Sequence, residues 1–275
     1  MSSRPAGWYP DPWNPSAVRY WSGDDWTPHA AAPQWIEPRS PHPSLPFAVA
    51  WGAIVATVVP LVASRFVLRA VAQFRWPIAV YVLLLAVLAY GPPLVFLRYA
   101  SRKWGTGRLR NDIGLTVAKA DVGWGPLTWL GCLAAQFIVG VIVIVTKLPM
   151  QNNTDQIRAA RDNPAYVIPI LIVAVVAAPI VEEIVFRGMV LRGLLSRMQP
   201  KWAIAAQAVL FGCAHFDPSR GAGNVGLIVV LSGVGAVLGV AVHQFRRLGP
   251  SIIAHAILNG VAMAVVLSGW MPTGQ

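Results

Sequence analysis

Pro179-Ile180-Val181-Glu182-Glu183-Ile184-Val185-Phe186-Arg187-Gly188 sets two adjacent carboxylates at the end of one of the most apolar runs in the chain, Tyr166 to Ala178. A charge inside hydrocarbon is costly, so an ionisable residue in such a run marks a functional site. Residues four apart share a helix face, which places Glu183 to pair with Arg187. Glu182 is turned about 100° away round the helix and cannot share that arginine equally. The stretch reads as one chemical residue, Glu182, beside a pair, Glu183 and Arg187, that holds it in place.

Outward from it, the chain has 275 residues, 56% hydrophobic and only 12% charged. Soluble domains carry about 25% charged residues, so the composition is that of an integral membrane protein. Seven apolar spans follow from Phe47 onward: 47–63, 77–97, 124–146, 166–186, 202–216, 225–243 and 250–269. Most reach the roughly 17–25 residues that cross hydrocarbon. Across all seven, the only Asp, Glu, Lys or Arg residues are Glu182 and Glu183. Pro92 and Pro93 are expected to bend the second span, and Pro179 to break the helix one turn before the glutamates.

Loop charges orient the spans. With seven spans and the N-terminus inside, 15 Lys and Arg lie inside and 7 outside. Splitting the fourth span at Pro179 makes it 10 against 12. The positive-inside rule favours seven. Eight stays open, because Met189 to Met198 is apolar enough to remain partly embedded. The expected fold is an all-α polytopic membrane protein with seven or eight transmembrane helices and a small N-terminal β-rich module. The expected location is the cell membrane, multi-pass, with a cytoplasmic N-terminus. The net charge of +11 is then loop charge facing anionic lipid headgroups, and no nucleic-acid partner is implied. Cys132 and Cys213, both in apolar segments, read as small buried hydrophobes rather than a disulfide or metal pair.

The first 46 residues hold ten of the 23 prolines and no apolar run long enough for a signal peptide. Residues 1–30 alternate aromatic and turn residues: Gly7-Trp8-Tyr9-Pro10, then Arg19-Tyr20-Trp21 and Trp26 around Ser22-Gly23-Asp24-Asp25. They predict a small β-hairpin packed on tryptophans. This module resembles the tryptophan-rich N-terminal module found on many membrane proteins of high-GC Gram-positive bacteria. Its role is either a structural cap or the capture of a protein partner through a Pro-rich or extended segment. Residues 31–46, with five prolines, read as a stiff linker to a 47–275 membrane domain.

Three more polar groups lie in the spans after the glutamates. Phe211-Gly-Cys-Ala-His215 ends one span, and His255-Ala-Ile-Leu-Asn259 sets an imidazole and a carboxamide on one face of the last. Glu182 and His215 flank the Gln199-Pro200-Lys201 turn at similar separations, which puts both some 20–25 Å from it and level. His255 and Asn259 enter at a shallower depth that a tilt would correct. Each alone has a bland reading: an interfacial histidine, as at His243, or helix–helix glue for Asn259. Their conjunction in otherwise uncharged spans is harder to assign to packing.

The three motifs Glu182-Glu183-x-x-x-Arg187, Phe211-x-x-x-His215 and His255-x-x-x-Asn259, over roughly residues 165–265, resemble the intramembrane protease family that groups CAAX prenyl endopeptidases with bacteriocin-processing and immunity proteins. The resemblance implies a helical fold, usually of eight spans, and peptide-bond hydrolysis in a cavity within the membrane. It implies that Glu182 and His215 activate a water, and that His255 and Asn259 stabilise the oxyanion. The expected partners are a peptide or protein substrate, itself membrane-associated or not, and membrane lipids.

Cofactor use has two readings, none or zinc. His215 and His255 with a glutamate would make a catalytic zinc set with an open position. The His-Glu-x-x-His signature is absent, and Asn259 is a poor zinc ligand but a good oxyanion donor, so the residues lean to a metal-free site. Two other functions compete. One is an inactive membrane scaffold or immunity-type protein, which loss of a motif residue would have favoured. The other is a transporter using membrane Glu and His, for which internal repeats are expected and none is found.

Overall fold

The structure is a computed structural model that describes residues 6–31, 45–152 and 154–269. The chain divides into two compact units, residues 1–42 and 43–275. Of the 31–46 linker, residues 32–44 lie outside the described part.

The first unit is a three-stranded antiparallel sheet rather than the expected hairpin. Its strands β1 (Gly7–Pro10), β2 (Val18–Trp21) and β3 (Trp26–Ala31) are ordered β1-β2-β3. The missed pairing is β1 with β2, where Trp8 faces Tyr20 with rings 5.5 Å apart. Trp26 makes edge contacts with Tyr9, Trp13 and Trp21. The buried Asp11 side chain pairs with Arg19 at 3.0 Å, and that guanidinium stands 5.1 Å over the Trp13 ring. A backbone hydrogen bond from Trp13, reinforced by Arg19, holds the Asp11 carboxyl below its ordinary range.

The second unit is helical. Its elements are α1 (Phe47–Val71), α2 (Ile78–Trp104), the short α3 (Leu109–Asp112), α4 (Asp121–Val145) and the short α5 (Asp155–Ala159). There follows one long helix, Pro164–Leu195, made of α6 (Pro164–Ile172), α7 (Ala178–Glu183) and α8 (Arg192–Leu195) joined by two π-helical stretches, Val173–Ala177 and Ile184–Leu191. Then come α9 (Pro200–Cys213), α10 (Asn224–Phe245) and α11 (Gly249–Ser268). Prolines start several of them. Pro164 and Pro200 sit in first turns, where the missing N–H is no loss, and the Asn163 side chain accepts from the Ala165 amide.

Six of these helices are long and apolar enough to cross a membrane. That is slightly fewer than the seven or eight spans expected. The apolar run 202–216 does form a helix, but α9 has only 14 residues, about 21 Å of rise against some 30 Å of hydrocarbon. The eighth span fails for a different reason: Pro179 does not break its helix. The π-helical stretch Val173–Ala177 absorbs it, so the 32-residue helix runs on through both glutamates.

Small residues let the helices close in. A Cβ on Gly212 would stand 2.5 Å from the Ile228 carbonyl oxygen, so α9 and α10 meet backbone to backbone there. Cys132 is buried as expected, but Cys213 lies on the exposed side of α9. At one end of the bundle the Asp121 carboxylate accepts from Arg247 at 2.6 Å, and the Leu248 amide donates to the Gly114 carbonyl. Asp112 joins that end. Burial opposes its charge, but donors on Ser101 and Thr106 hold its carboxyl below the ordinary value.

Candidate active site

The two glutamates enter different surroundings. Glu183 and Arg187 are wholly buried, with Nη1 2.9 Å from Oε1. Arg187 Nη2 donates to the Gly235 carbonyl at 3.2 Å, and Gln207 Nε2 donates to the same oxygen at 2.8 Å. Glycine is needed at 235 because a Cβ there would stand 3.1 Å from the Ala208 Cα and carbonyl oxygen. The guanidinium also lies 4.4 Å over the Phe211 ring. Glu183 Oε1 has a second partner, His255 Nδ1, at 3.0 Å. One carboxylate oxygen thus ties the long helix to α11, while its arginine ties it to α10.

Glu182 faces a cavity of about 230 Å³ instead. Its Oε2 is buried and takes no hydrogen bond among the described residues. It stands 3.9 Å from His215 Nε2 and 3.8 Å from His255 Nε2. The other ring nitrogens fix the tautomers. His215 Nδ1 is 2.9 Å from the Phe211 carbonyl oxygen, which can only accept, and His255 Nδ1 meets the arginine-paired Glu183. Both Nδ1 atoms therefore carry hydrogen, and both Nε2 atoms point at Glu182. Phe211 packs edge-on to both imidazoles, at 5.0 Å and 5.7 Å.

Asn259 lines the same cavity, and its Nδ2 donates to the Ala174 carbonyl at 2.8 Å. The backbone explains why that carbonyl is free. In the π-helical stretch the Ala178 amide donates to Val173, five residues back. The next residue, Pro179, has no N–H for Ala174. The proline frees one acceptor inside the bundle, and Asn259 satisfies it. One amide proton of Asn259 remains, since a carboxamide carries two.

All six sequence-predicted residues are thus brought together: Glu183, Arg187 and His255 in one hydrogen-bonded group, Glu182, His215 and Asn259 on the cavity beside it. His255 does come level with the glutamates. Sequence reasoning missed Tyr90 of α2, which lines the cavity with its hydroxyl facing Glu182, and Gln207, which shares the Gly235 carbonyl. Gln207 carried a signal as the one amide side chain within the 202–216 run. Tyr90 carried none, because a tyrosine in an apolar helix is ordinary. For a metal, no three His, Cys, Asp or Glu side chains among the described residues are arranged to hold one ion.

No curated protein and no solved structure matches the chain. Residues 6–43 match the family model of a protein of unknown function, DUF2510. Residues 164–261, which contain Glu182, Glu183, Arg187, His215, His255 and Asn259, match the family model for type II CAAX prenyl endopeptidase Rce1-like proteins.

Proposed function

We propose that this chain is an intramembrane endopeptidase in which Glu182 and His215 deprotonate a water that attacks a peptide carbonyl. The observation that carries the reading is Glu182 Oε2: buried, without a hydrogen bond, and facing two imidazole Nε2 atoms at under 4 Å in a cavity of the bundle. A water bonded at about 2.8 Å to both Glu182 Oε2 and His215 Nε2 fits between atoms 3.9 Å apart. Both atoms accept, so the water presents both its hydrogens to them and a lone pair to the substrate.

Charge balance separates the two histidines. Glu183 and Arg187 neutralise each other, which leaves the Glu182 carboxylate without a counter-charge. His255 is the group set between the two carboxylates, with Nδ1 3.0 Å from Glu183 and Nε2 3.8 Å from Glu182. With both ring nitrogens protonated, His255 donates from Nε2 to the carbonyl oxygen as it turns into an oxyanion, and the remaining Asn259 proton is the second donor. The proton taken from water passes from the Glu182–His215 side to the leaving amine. As proposed, the cycle uses no metal.

The cavity walls beyond the polar groups, among them Ile157, Ile170, Leu231 and Met263, suit a substrate with apolar residues at the cleaved bond. The basic loops between α2 and α4, between the long helix and α9, and between α10 and α11 fall on one end of the bundle with the start of α1. We place that end, and the N-terminus, in the cytoplasm of a cell-membrane protein.

The test is turnover of internally quenched peptides by detergent-purified protein. Glu182→Gln and His215→Ala should each lower turnover by about 10²–10⁴, the range for a lost general base, with the protein still folded. Turnover should survive a membrane-permeant chelator. Full activity in Glu182→Gln would overturn the reading. Activity lost on chelation and restored by zinc alone would replace the metal-free cycle with a zinc one.

A further inference from the structure

We infer that Tyr90, on a helix outside the matched segment, is a positioning residue for Glu182, its hydroxyl holding the carboxylate so that Oε2 points at the histidines. The inference rests on the reading of Glu182 as the base. A glutamate's terminal torsion is broad, so a carboxylate with neither oxygen held samples many orientations. Glu183 escapes this through Arg187 and His255. Glu182 has no such pair, and both imidazoles stand nearly 4 Å away, beyond hydrogen-bond reach. A donor from elsewhere must aim it.

Tyr90 is placed for that. Helix α2 packs against α6 at the start of the long helix, and its half-buried Tyr90 lines the cavity together with Glu182, His215, His255 and Asn259. Tyr90 and Glu182 line the same cavity and interact there, without making a regular hydrogen bond. Loose contacts of this kind tighten when substrate fills a site. The ring meanwhile packs against the main buried core cluster, so the phenol is held while it lines the cavity. A phenol O–H donates at neutral pH without adding charge, which leaves the carboxylate free to accept from water.

Tyr90→Phe keeps the ring and removes the hydroxyl. The probe is the peptide cut fastest by the wild type in an internally quenched library with apolar residues flanking the cleaved bond. The expected result is kcat lowered about ten- to hundredfold, the scale of one hydrogen bond to a charged group, with KM and the unfolding midpoint unchanged. Wild-type kcat in Tyr90→Phe, with Glu182→Gln inactive in the same assay, would overturn the role of Tyr90 and leave the reading of Glu182 standing. A loss that appears in KM or in the unfolding midpoint would make Tyr90 a packing residue and likewise overturn it. Turnover surviving in Glu182→Gln would remove both claims.

Discussion

Glu182 and Glu183 are adjacent in the chain, yet the regions they enter are built to opposite rules. Around Glu183 every contact is close: a guanidinium at 2.9 Å, an imidazole at 3.0 Å, and a backbone carbonyl that receives both Arg187 and Gln207. Around Glu182 the nearest side-chain nitrogens stand 3.8 and 3.9 Å away and Oε2 has no hydrogen bond. Glu183 Oε2 and Arg187 Nε also lack a hydrogen bond, so the difference lies in Glu183 Oε1, which takes two close partners where Glu182 Oε2 takes none. The contrast teaches that the rigid side holds the open one in place. His255 belongs to both, with one ring nitrogen on each glutamate.

The largest effect should come from breaking the rigid side. Glu183→Ala leaves Arg187 charged and unpaired in the core, and losing one partner of a buried pair costs about 3–5 kcal/mol. Membrane abundance and the detergent unfolding midpoint should both fall. An unchanged midpoint would show that the pair does not hold the bundle.

Next in size is Asn259, on the open side. Removing one oxyanion donor typically lowers turnover by about 10²–10³, and Asn259→Ala should do so with little change in KM. Since Asn259 also satisfies the Ala174 carbonyl, part of the loss should appear as a modest drop in the midpoint, on the order of 1 kcal/mol. A fall in stability with turnover intact would make Asn259 helix–helix glue only.

The rigid side was legible in the sequence because helix periodicity alone pairs residues 183 and 187. Convergence on the open side was legible too, from polar residues in spans otherwise free of charge and from matched distances to the Gln199-Pro200 turn. What escaped was written in the backbone. The Gly235 carbonyl that anchors Arg187 has no side-chain signature. Pro179 reads as a helix breaker, and nothing in the residue types announces a π-helical stretch that carries the helix past it and frees Ala174. The count of spans failed for want of length: 202–216 is apolar, but its helix stops at 14 residues. In the N-terminal module the aromatic alternation signalled strands, but two short turns allow either a hairpin or three strands, and the Trp8–Tyr20 pairing decides it.

The smallest expected effect lies in that module. The proposed catalytic groups all lie in the helical unit, so deleting residues 1–40 should leave kcat on a short peptide within about twofold of the wild type. Loss of turnover, with the protein still in the membrane, would assign the module a part in the reaction.

The central claim is that adjacent glutamates divide the work, Glu182 reacting and Glu183 holding. It is tested most directly by measuring turnover and unfolding midpoint together for Glu182→Gln and Glu183→Gln in one detergent. Glu182→Gln should lose turnover with a midpoint equal to or above the wild type, because glutamine keeps the shape and removes a charge that has no close partner. Glu183→Gln should lose the midpoint as well as turnover. Equal midpoints and equal residual turnover in the two variants would contradict the division.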